Sequence, residues 1–511
     1  MTPRVAAAQG GRTLRRLGGA SRAVAALDLG SNSFHLIVAQ MQDGRLHVID
    51  RLQEMVRLGG GLDERDHLLP AARARALACL ARFGQRLRGF PRGSVRAVGT
   101  NTLRRMHNAA EFLNAAERVL GHPIDIIAGR EEARLIYQGM ARSWPDDGRP
   151  RLVIDIGGGS TEIILGQGLD AITMESLYMG CVSLSEGYFG DGVLSDKAMS
   201  RAETAARLEL RPVQAQFRHG WETVIGTSGT IRAVRSVLRA QGWTDGTITP
   251  TALRRLRAAL VSARHLDRLK LPGLAADRAA VFPGGVAILL AAHESLGIKR
   301  MLVADGALRE GLLYDLAGRL RREDVREHTV AVLARRFHAD LAQAQRVMRT
   351  ARHGFEYVAR KWGLTEDDER LLNWAARLHE IGLAVAHNQY HKHGAYLAEK
   401  SDLPGFSWQT QRQLAAIIRG HRRKFPAEVF DALPEPQRSA ARRLCILLRL
   451  AVLLHRSRSG STPRGLRLQA GRRSLKIRFA RGWLGRHPLT QADLVQEAAW
   501  LRAARITLEF S

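Results

Sequence analysis

The chain has 511 residues, which is too long for one compact core and indicates several domains. Hydrophobic residues make up 45% and charged residues 25%, the balance of a soluble globular protein, and we find no apolar run that approaches the roughly 18 residues of a membrane span. The formal net charge of +29 favours polyanionic partners, although a genome rich in arginine codons explains dispersed arginine equally well.

Two copies of one pattern stand out along the first half of the chain. After residues 1–21, a basic stretch without acids that is typical of a disordered leader, the sequence predicts a strand over 24–29, a turn, and a return strand over 34–40. The pattern recurs as a strand over 152–156 and a return over 161–165. In each copy an aspartate, Asp28 or Asp155, ends the first strand before a Gly/Ser loop. This echo predicts a duplicated fold whose halves face each other across a cleft.

The rest of the chain divides by its periodicity. Alternating strand and helix signals predict an α/β architecture up to about residue 315, and residues 320–455 have a helical period with turn signals at Gly354, Gly363 and Pro404-Gly405. Residues 457–463 have the composition of a linker, and the tail predicts a small β-β-α-β unit. The predicted divisions are 1–21, 22–135, 136–316, 317–456 and 457–511.

The two Gly/Ser loops are candidates for phosphate binding. Backbone N–H groups that no side chain shields form a concave nest suited to phosphate oxygens. Asp155 and Glu162 flank the second loop, and two carboxylates beside such a nest suit Mg²⁺. From spacing alone, a capping Asp155 and a solvated Glu162 are nearly as good an explanation. Glu131 and Glu132 open a predicted helix, where the helix dipole accounts for acidic residues.

Seven motifs in order resemble the Ppx/GppA phosphatase family, closest to its long, four-domain members. They are ALDLGSNSFHLIVA (26–39), VGTNTLRR (98–105), AGREEARLIYQG (128–139), LVIDIGGGSTEIILG (152–166), MGCVSLSEGYF (179–189), IGTSGTIRA (225–233) and DGALREGLLYDL (305–316). The resemblance implies two actin/hexokinase-like (ASKHA) α/β domains, an all-helical HD-like domain and a small α+β C-terminal unit.

The resemblance also implies roles for particular residues. Glu132 matches the residue that activates water, and Asp155 and Glu162 match Mg²⁺ ligands. The positions expected to bind phosphate are Ser31, Asn32, Arg104, Gly157, Gly158, Gly159, Ser160, Cys181 and Arg278. Mg²⁺ is the expected cofactor, with K⁺ as a candidate activator.

In the helical domain, His379-Glu380 stands where an HD domain has its metal-binding His-Asp pair. The nearby histidines lack the spacing of a structural zinc site, and we expect a binding and dimerisation role instead. His421, Arg422, Arg423 and Lys424 are predicted to form a basic surface for the distal polyanion, or else a solvated helix end.

The function expected is processive exopolyphosphatase activity in the cytoplasm, by a homodimer without a specific nucleic-acid target and with at most peripheral membrane association. Three widely spaced cysteines agree with a reducing compartment. The first alternative is hydrolysis of guanosine pentaphosphate (pppGpp) to the tetraphosphate. The others are an ATP-dependent kinase or chaperone-like protein of the same superfamily, and a nucleic-acid binder suggested by charge alone.

Overall fold

The computed structural model describes residues 22–42, 45–91, 93–320, 323–458, 463 and 465–511. The predicted basic leader and most of the predicted linker at 457–463 lie outside these residues.

Two five-stranded sheets with the same strand arrangement form the first part of the molecule. The first contains β1 (Arg22–Leu29), β2 (Ser33–Gln42), β3 (Arg45–Met55), β4 (Val95–Gly99) and β5 (Ile124–Ile126), in the order β3-β2-β1-β4-β5. The second contains β6 (Arg151–Ile156), β7 (Thr161–Gln167), β8 (Asp170–Leu177), β9 (Thr223–Thr227) and β10 (Leu302–Val303), in the order β10-β9-β6-β7-β8. In each sheet the first strand is central, antiparallel to its hairpin partner and parallel to a later strand. The predicted duplication is confirmed.

Eleven helices accompany these sheets in the described residues. They are α1 (Pro70–Arg86), α2 (Asn101–Arg105), α3 (Ala109–Leu120), α4 (Gly129–Ser143), α5 (Cys181–Phe189), α6 (Asp196–Leu210), α7 (Gln214–Phe217), α8 (Ser228–Ala240), α9 (Pro250–Ala263), α10 (Phe282–Leu296) and α11 (Leu308–Leu320). Helices α4 and α11 pack on each other, and one core joins them to Val24 of the first sheet and Val153 of the second. The predicted boundaries at 135/136 and 316/317 fall inside these two helices.

One segment of the second half corrects an expectation about apolar runs. Residues Ala276–Leu296 are long and apolar enough to cross a membrane by length and composition, which the sequence analysis overlooked. They comprise a short 3-10 turn followed by α10, and 72% of the most apolar window is buried inside the molecule. A buried core helix passes the same test, because both environments select apolar side chains.

The next part of the chain is helical, as predicted. It contains α12 (Val325–Arg336), α13 (Leu341–Trp362), α14 (Glu366–Leu378), α15 (Tyr390–Lys400), α16 (Trp408–Gly420), α17 (Ala427–Asp431) and α18 (Gln437–Leu454). Gly363 ends α13 with φ +63°, and Gly405 turns the chain with φ +86°. The turn predicted at Gly354 is wrong, since α13 continues through it. A Cβ there would lie 3.3 Å from Leu468, so the missing side chain serves close packing.

The tail forms the predicted β-β-α-β unit. Its elements are β11 (Arg467–Ala470), β12 (Ser474–Arg478), α19 (Pro488–Ala503) and β13 (Thr507–Phe510). β12 pairs antiparallel with β11 and parallel with β13. Leu475 and Ile477 are buried in the same core as α13 and α18, so this unit packs directly on the helical domain.

Candidate active site

The two Gly/Ser loops approach each other at contact distance. The Gly30–Ser33 loop joins β1 to β2, and the Gly157–Ser160 loop joins β6 to β7. A Cβ on Gly158 would lie 2.8 Å from Ser31 Cβ, and one on Gly159 would lie 2.4 Å from Asn101 Oδ1. Glycine is therefore required in the second loop, because no side chain fits between the two halves.

A cavity of about 120 Å³ lies between these loops. Most of the predicted site residues line it: Ser31, Asn32, Glu132, Asp155, Gly157, Gly158, Gly159, Ser160, Cys181 and Arg278. Arg104 and Glu162 do not line it but contact its walls. Arg104 Nη1 donates to Glu132 Oε2 at 2.8 Å, and Glu162 pairs with Asp155 across β6 and β7.

Two helices begin at the cavity. The first-turn amides of Cys181 and Val182 on α5 donate to the carbonyls of Gly157 and Gly158, both at 2.9 Å, and so hold the second loop in place. Ser228 and Gly229, which open α8, also line the cavity. Because a helix carries partial positive charge at its N-terminus and the α5 amides are already engaged by the second loop, the α8 end is the one that favours an anion in the cavity.

Buried carboxylates surround the same cavity. Burial, reinforced by the charge of Glu132, raises the pKa of Asp28 to about 8. Burial likewise raises the pKa of Asp155 to about 6, although the Thr227 hydroxyl donates to its Oδ2 at 2.5 Å. Burial and the charges of Glu132 and Asp155 raise the pKa of Glu162 well above its usual range. Burial and mutual repulsion thus disfavour the charged forms of these three carboxylates.

The donor set fits the expected Mg²⁺. Asp28 Oδ1 is buried without a hydrogen-bond partner, and Asp155 and Glu162 present further oxygens beside the loop. The Ser176 hydroxyl donates to Glu162 Oε1 at 2.8 Å and orients it. Within the described ranges, no three His, Cys, Asp or Glu side chains form a complete cage. Mg²⁺ needs none, since it uses one or two carboxylates together with phosphate oxygens and waters.

Several cavity residues were not predicted. Asp28, Arg232 and Arg309 line it, although they lie in motifs that the sequence analysis quoted. Asp28 occupies the position in the first hairpin that Asp155 has in the second, and this echo was the available signal. His35 pairs with Asp28 across β1 and β2, and its Nδ1 accepts from Arg309 Nη1 at 3.1 Å. Burial and three arginines lower the pKa of His35 to about 3, so a neutral ring orients Arg309.

Cys181 has no feature of a nucleophile. Its side chain is buried, and burial raises the pKa of the thiol above its ordinary value. Because the thiolate is the reactive form, a thiol with a raised pKa is inert at neutral pH. Cys181 therefore contributes a cavity wall and, through its amide, the closure of the second loop.

The predicted basic surface of the helical domain lies around a second cavity of about 610 Å³. Arg422, Arg423 and Lys424 line it together with Lys392 and Arg419. His421 corrects the prediction, because it is only 2% exposed and its Nδ1–H donates to the Ile418 carbonyl at 2.6 Å. The last turn of α16 directs this ring into the domain interior.

His421 lies instead in a buried group of histidines. Its ring centroid is 5.4 Å from that of His379 and 6.2 Å from that of His391. Glu380 is buried beside them and accepts from Arg458 Nη2 at 2.6 Å. Burial lowers the pKa of each of the three histidines, so the rings are neutral near pH 7.

Comparison with known proteins places this cleft in a family. Residues 37–320 match the model of the Ppx/GppA phosphatase family, and residues 325–498 match Ppx/GppA phosphatase, domain III. An exopolyphosphatase from Cytophaga hutchinsonii is similar in fold, at 22% identity and a TM-score of 0.53, over 58% of this chain and 98% of that one. The Aquifex aeolicus PPX-GPPA enzyme is 27% identical, over 57% of this chain and 98% of that one, with a TM-score of 0.48. With more than half of its length matched by the family model, the chain belongs to the Ppx/GppA phosphatase family.

Proposed function

We propose that this phosphatase is a Mg²⁺-dependent exopolyphosphatase that releases orthophosphate from the ends of inorganic polyphosphate. The observation that carries the proposal is the pair of facing Gly/Ser loops at a cavity lined both by carboxylates and by Arg232, Arg278 and Arg309. Amides and arginines suit a terminal phosphate, whereas carboxylates suit a cation and an attacking water.

The hydrolysis needs few groups. The terminal phosphate would lie against the Gly158 and Gly159 amides and the N-terminus of α8, with the arginines on its oxygens. Glu132 would accept a proton from a water molecule whose oxygen bonds to the terminal phosphorus. The bond from that phosphorus to the bridging oxygen breaks, and the shortened chain leaves with the electron pair.

Arg104 would orient Glu132 for this step. Its Nη1 also donates to the Ile127 carbonyl at 2.9 Å, so the guanidinium is held on the backbone just before α4. Asp155 and Glu162 would hold Mg²⁺ together with phosphate oxygens and waters, and the unpartnered Asp28 Oδ1 lies beside them. When bound, the ion neutralises charge on the phosphate oxygens.

The basic cavity of the helical domain would hold a distal part of a long chain. Arg422, Arg423 and Lys424 place several positive charges around one cavity. Such contacts are sequence-independent and allow sliding, which suits processive shortening of a uniform polymer.

Hydrolysis of pppGpp is the second candidate, and a cavity of about 410 Å³ beside the cleft favours it. Tyr178, which is 79% exposed, and Trp408 line this cavity together with Arg104. Aromatic faces stack on nucleobases, and Arg104 joins the cavity to Glu132. A guanosine there would be expected to lose affinity in Trp408→Ala, whereas polyphosphate would not.

The decisive experiment measures orthophosphate release from long-chain polyphosphate with Mg²⁺, comparing wild type with Glu132→Ala. We expect the wild type to leave long chains plus orthophosphate, and the variant to be slower by about 10²- to 10⁴-fold. Glu203→Ala is the matched control, since Glu203 accepts from Arg257 Nε at 2.6 Å on the far side of the second half.

Each other outcome points to a different function. If polyphosphate is untouched but pppGpp is hydrolysed, the second candidate replaces the first. Turnover of ATP only with an acceptor would indicate a kinase. Silence on all three substrates contradicts the hydrolase proposal.

A further inference from the structure

The first turn of α4 is anchored to the helical domain through Glu131, the neighbour of Glu132. Glu131 is 4% exposed, and its Oε2 accepts the Gly405 N–H at 2.9 Å. Arg134 donates to both of its oxygens at 2.8 Å, Nε to Oε2 and Nη2 to Oε1. With both oxygens engaged, the Glu131 side chain is held in one orientation.

The same contacts continue into a closed ring. Arg134 Nη2 also donates to Asp315 Oδ1 at 2.8 Å, and Arg319 Nε donates to Asp315 Oδ2 at 2.8 Å. Arg319 Nη2 then donates to the Gly405 carbonyl at 2.8 Å. The ring therefore joins α4, α11 and the turn before α16. It includes hydrogen bonds to both the N–H and the carbonyl of Gly405.

The turn that carries Gly405 is itself rigid. Gly405 has φ +86°, and a Cβ would lie 2.4 Å from Val325 Cγ1, so both conformation and space require glycine. The Thr329 hydroxyl donates to the Pro404 carbonyl at 2.8 Å. Phe406 packs edge-to-face on Trp374, with ring centroids 4.9 Å apart. The turn is thus fixed to α12 and α14.

The strand that leads into α4 is held from the same side. Gln409 Oε1 accepts the Ile126 N–H at 3.0 Å, and its Nε2 donates to the Ile124 carbonyl at 3.1 Å. These bonds satisfy the open edge of β5, two residues before α4 begins. The helical domain therefore restrains both the approach to α4 and its first turn.

We infer that Glu131 is a positioning residue: its ring with Gly405, Arg319, Asp315 and Arg134 fixes the first turn of α4 and so aims the Glu132 carboxylate. The inference rests on the proposed function, because it needs Glu132 to act on the attacking water. Gly405 lies in the part of the chain matched by the domain III model, so the ring makes that domain part of the catalytic geometry. A displacement of about 1 Å in such geometry slows an enzyme by about 100-fold.

The test uses the full chain and Glu131→Gln, which keeps the side-chain shape but removes its charge. We expect kcat for polyphosphate to fall by about 10- to 100-fold while KM changes little, since positioning acts on the chemical step. Amide hydrogen exchange should rise in peptides covering residues 128–135 and stay unchanged in those covering α5. Glu203→Gln, which disturbs an arginine pair outside the cleft, should behave as wild type in both measurements.

A second variant guards against simple unfolding. Arg319→Lys keeps a positive charge beside Asp315 but removes the fork that reaches Gly405, and we expect the same changes at smaller amplitude. Wild-type kcat in Glu131→Gln, or unchanged exchange at 128–135, overturns the inference, as does a rise in KM alone. If the wild type hydrolyses neither substrate, the proposed function fails. In that case, unchanged amide hydrogen exchange at residues 128–135 in Glu131→Gln would also refute the role of the ring. Raised exchange there would still support the ring as an anchor of α4.

Discussion

The catalytic cleft and the helical domain both bury ionisable side chains, but they treat the charge differently. In the cleft, burial raises the pKa of Asp28 to about 8 and of Asp155 to about 6, and the charge of nearby Glu132 adds to both shifts. Where the tail unit packs on the helical domain, both oxygens of buried Glu497 on α19 accept from Arg449 on α18, through Nε and Nη2. Burial thus disfavours the charged form of the cleft carboxylates, whereas the Arg449–Glu497 pair is held by two direct charge-assisted hydrogen bonds.

The largest expected effect is on the free energy of unfolding, when the buried Arg449–Glu497 pair is broken. Glu497→Gln leaves the Arg449 guanidinium, which is 2% exposed, without an anionic partner: it keeps two backbone carbonyls, two aromatic rings and a neutral amide. Breaking one partner from a buried pair should lower the free energy of unfolding by about 3–5 kcal/mol. Urea denaturation at pH 7 measures it. A loss below about 1 kcal/mol would mean that the pair is not structural.

The next effect concerns the contact between the two loops. Gly159→Ala places a methyl group 2.4 Å from Asn101 Oδ1 and 3.2 Å from Ser31 Oγ, so the second loop must shift away from the first half of the molecule and its amides change direction. We expect phosphate release to fall by about 100-fold or more. Gly187→Ala on α5 is the control, because its Cβ would meet nothing within 4 Å. That variant should keep full activity and gain up to about 1 kcal/mol of stability; equal activity in both variants would contradict the phosphate nest.

The parts of the molecule that sequence could predict are those encoded locally. Both hairpins follow from short apolar runs broken by Gly/Ser turns, and the internal echo gave the duplicated sheets. The helical domain follows from its period. The family resemblance, rather than spacing, separated Glu132 from Glu131.

What escaped prediction depends on partners distant in sequence. Glu131 and Gly405 are 274 residues apart, and no local signal pairs them. His421 was assigned to a basic surface because its neighbours are Arg and Lys, yet the turn of α16 buries it. Gly354 indicated a turn, but the close approach of Leu468 required a small residue inside a helix.

Asp155→Asn tests whether a buried carboxylate of the cleft opposes folding when it is charged. Because burial raises the pKa of Asp155 to about 6, its charge opposes folding at pH 7, and the neutral variant should be more stable by about 1–3 kcal/mol without Mg²⁺. The penalty is full above about pH 6 and is absent below the unfolded pKa near 4, so the two stabilities should converge in acid. Activity should be lost in the same variant. A less stable Asp155→Asn at pH 7 would mean that the carboxylate is already neutralised in the fold.

The smallest expected effect is on the pH dependence of stability, and it concerns the buried His421 of the helical domain. Burial beside His379 and His391, with Arg422 nearby, lowers the pKa of His421 well below its usual value. A histidine held neutral in the fold contributes stability that is fully present above the unfolded pKa near 6.5 and is lost as pH falls toward its folded pKa. His421→Gln should therefore reduce the loss of unfolding free energy between pH 6.5 and 5.5 by about 1 kcal/mol, measured by urea denaturation.

The exposed His47 supplies the control for this last measurement, since His47→Gln should not change how the free energy of unfolding depends on pH. A slope that His421→Gln does not alter would mean that water reaches the ring and that the domain does not exclude charge there. A smaller slope of unfolding free energy against pH in His421→Gln would show that burial disfavours charge in both regions: on carboxylates in the cleft and on a histidine in the helical domain. In each, burial favours the neutral form, but only the carboxylates of the cleft lie where a cation and a phosphate could replace the missing solvent.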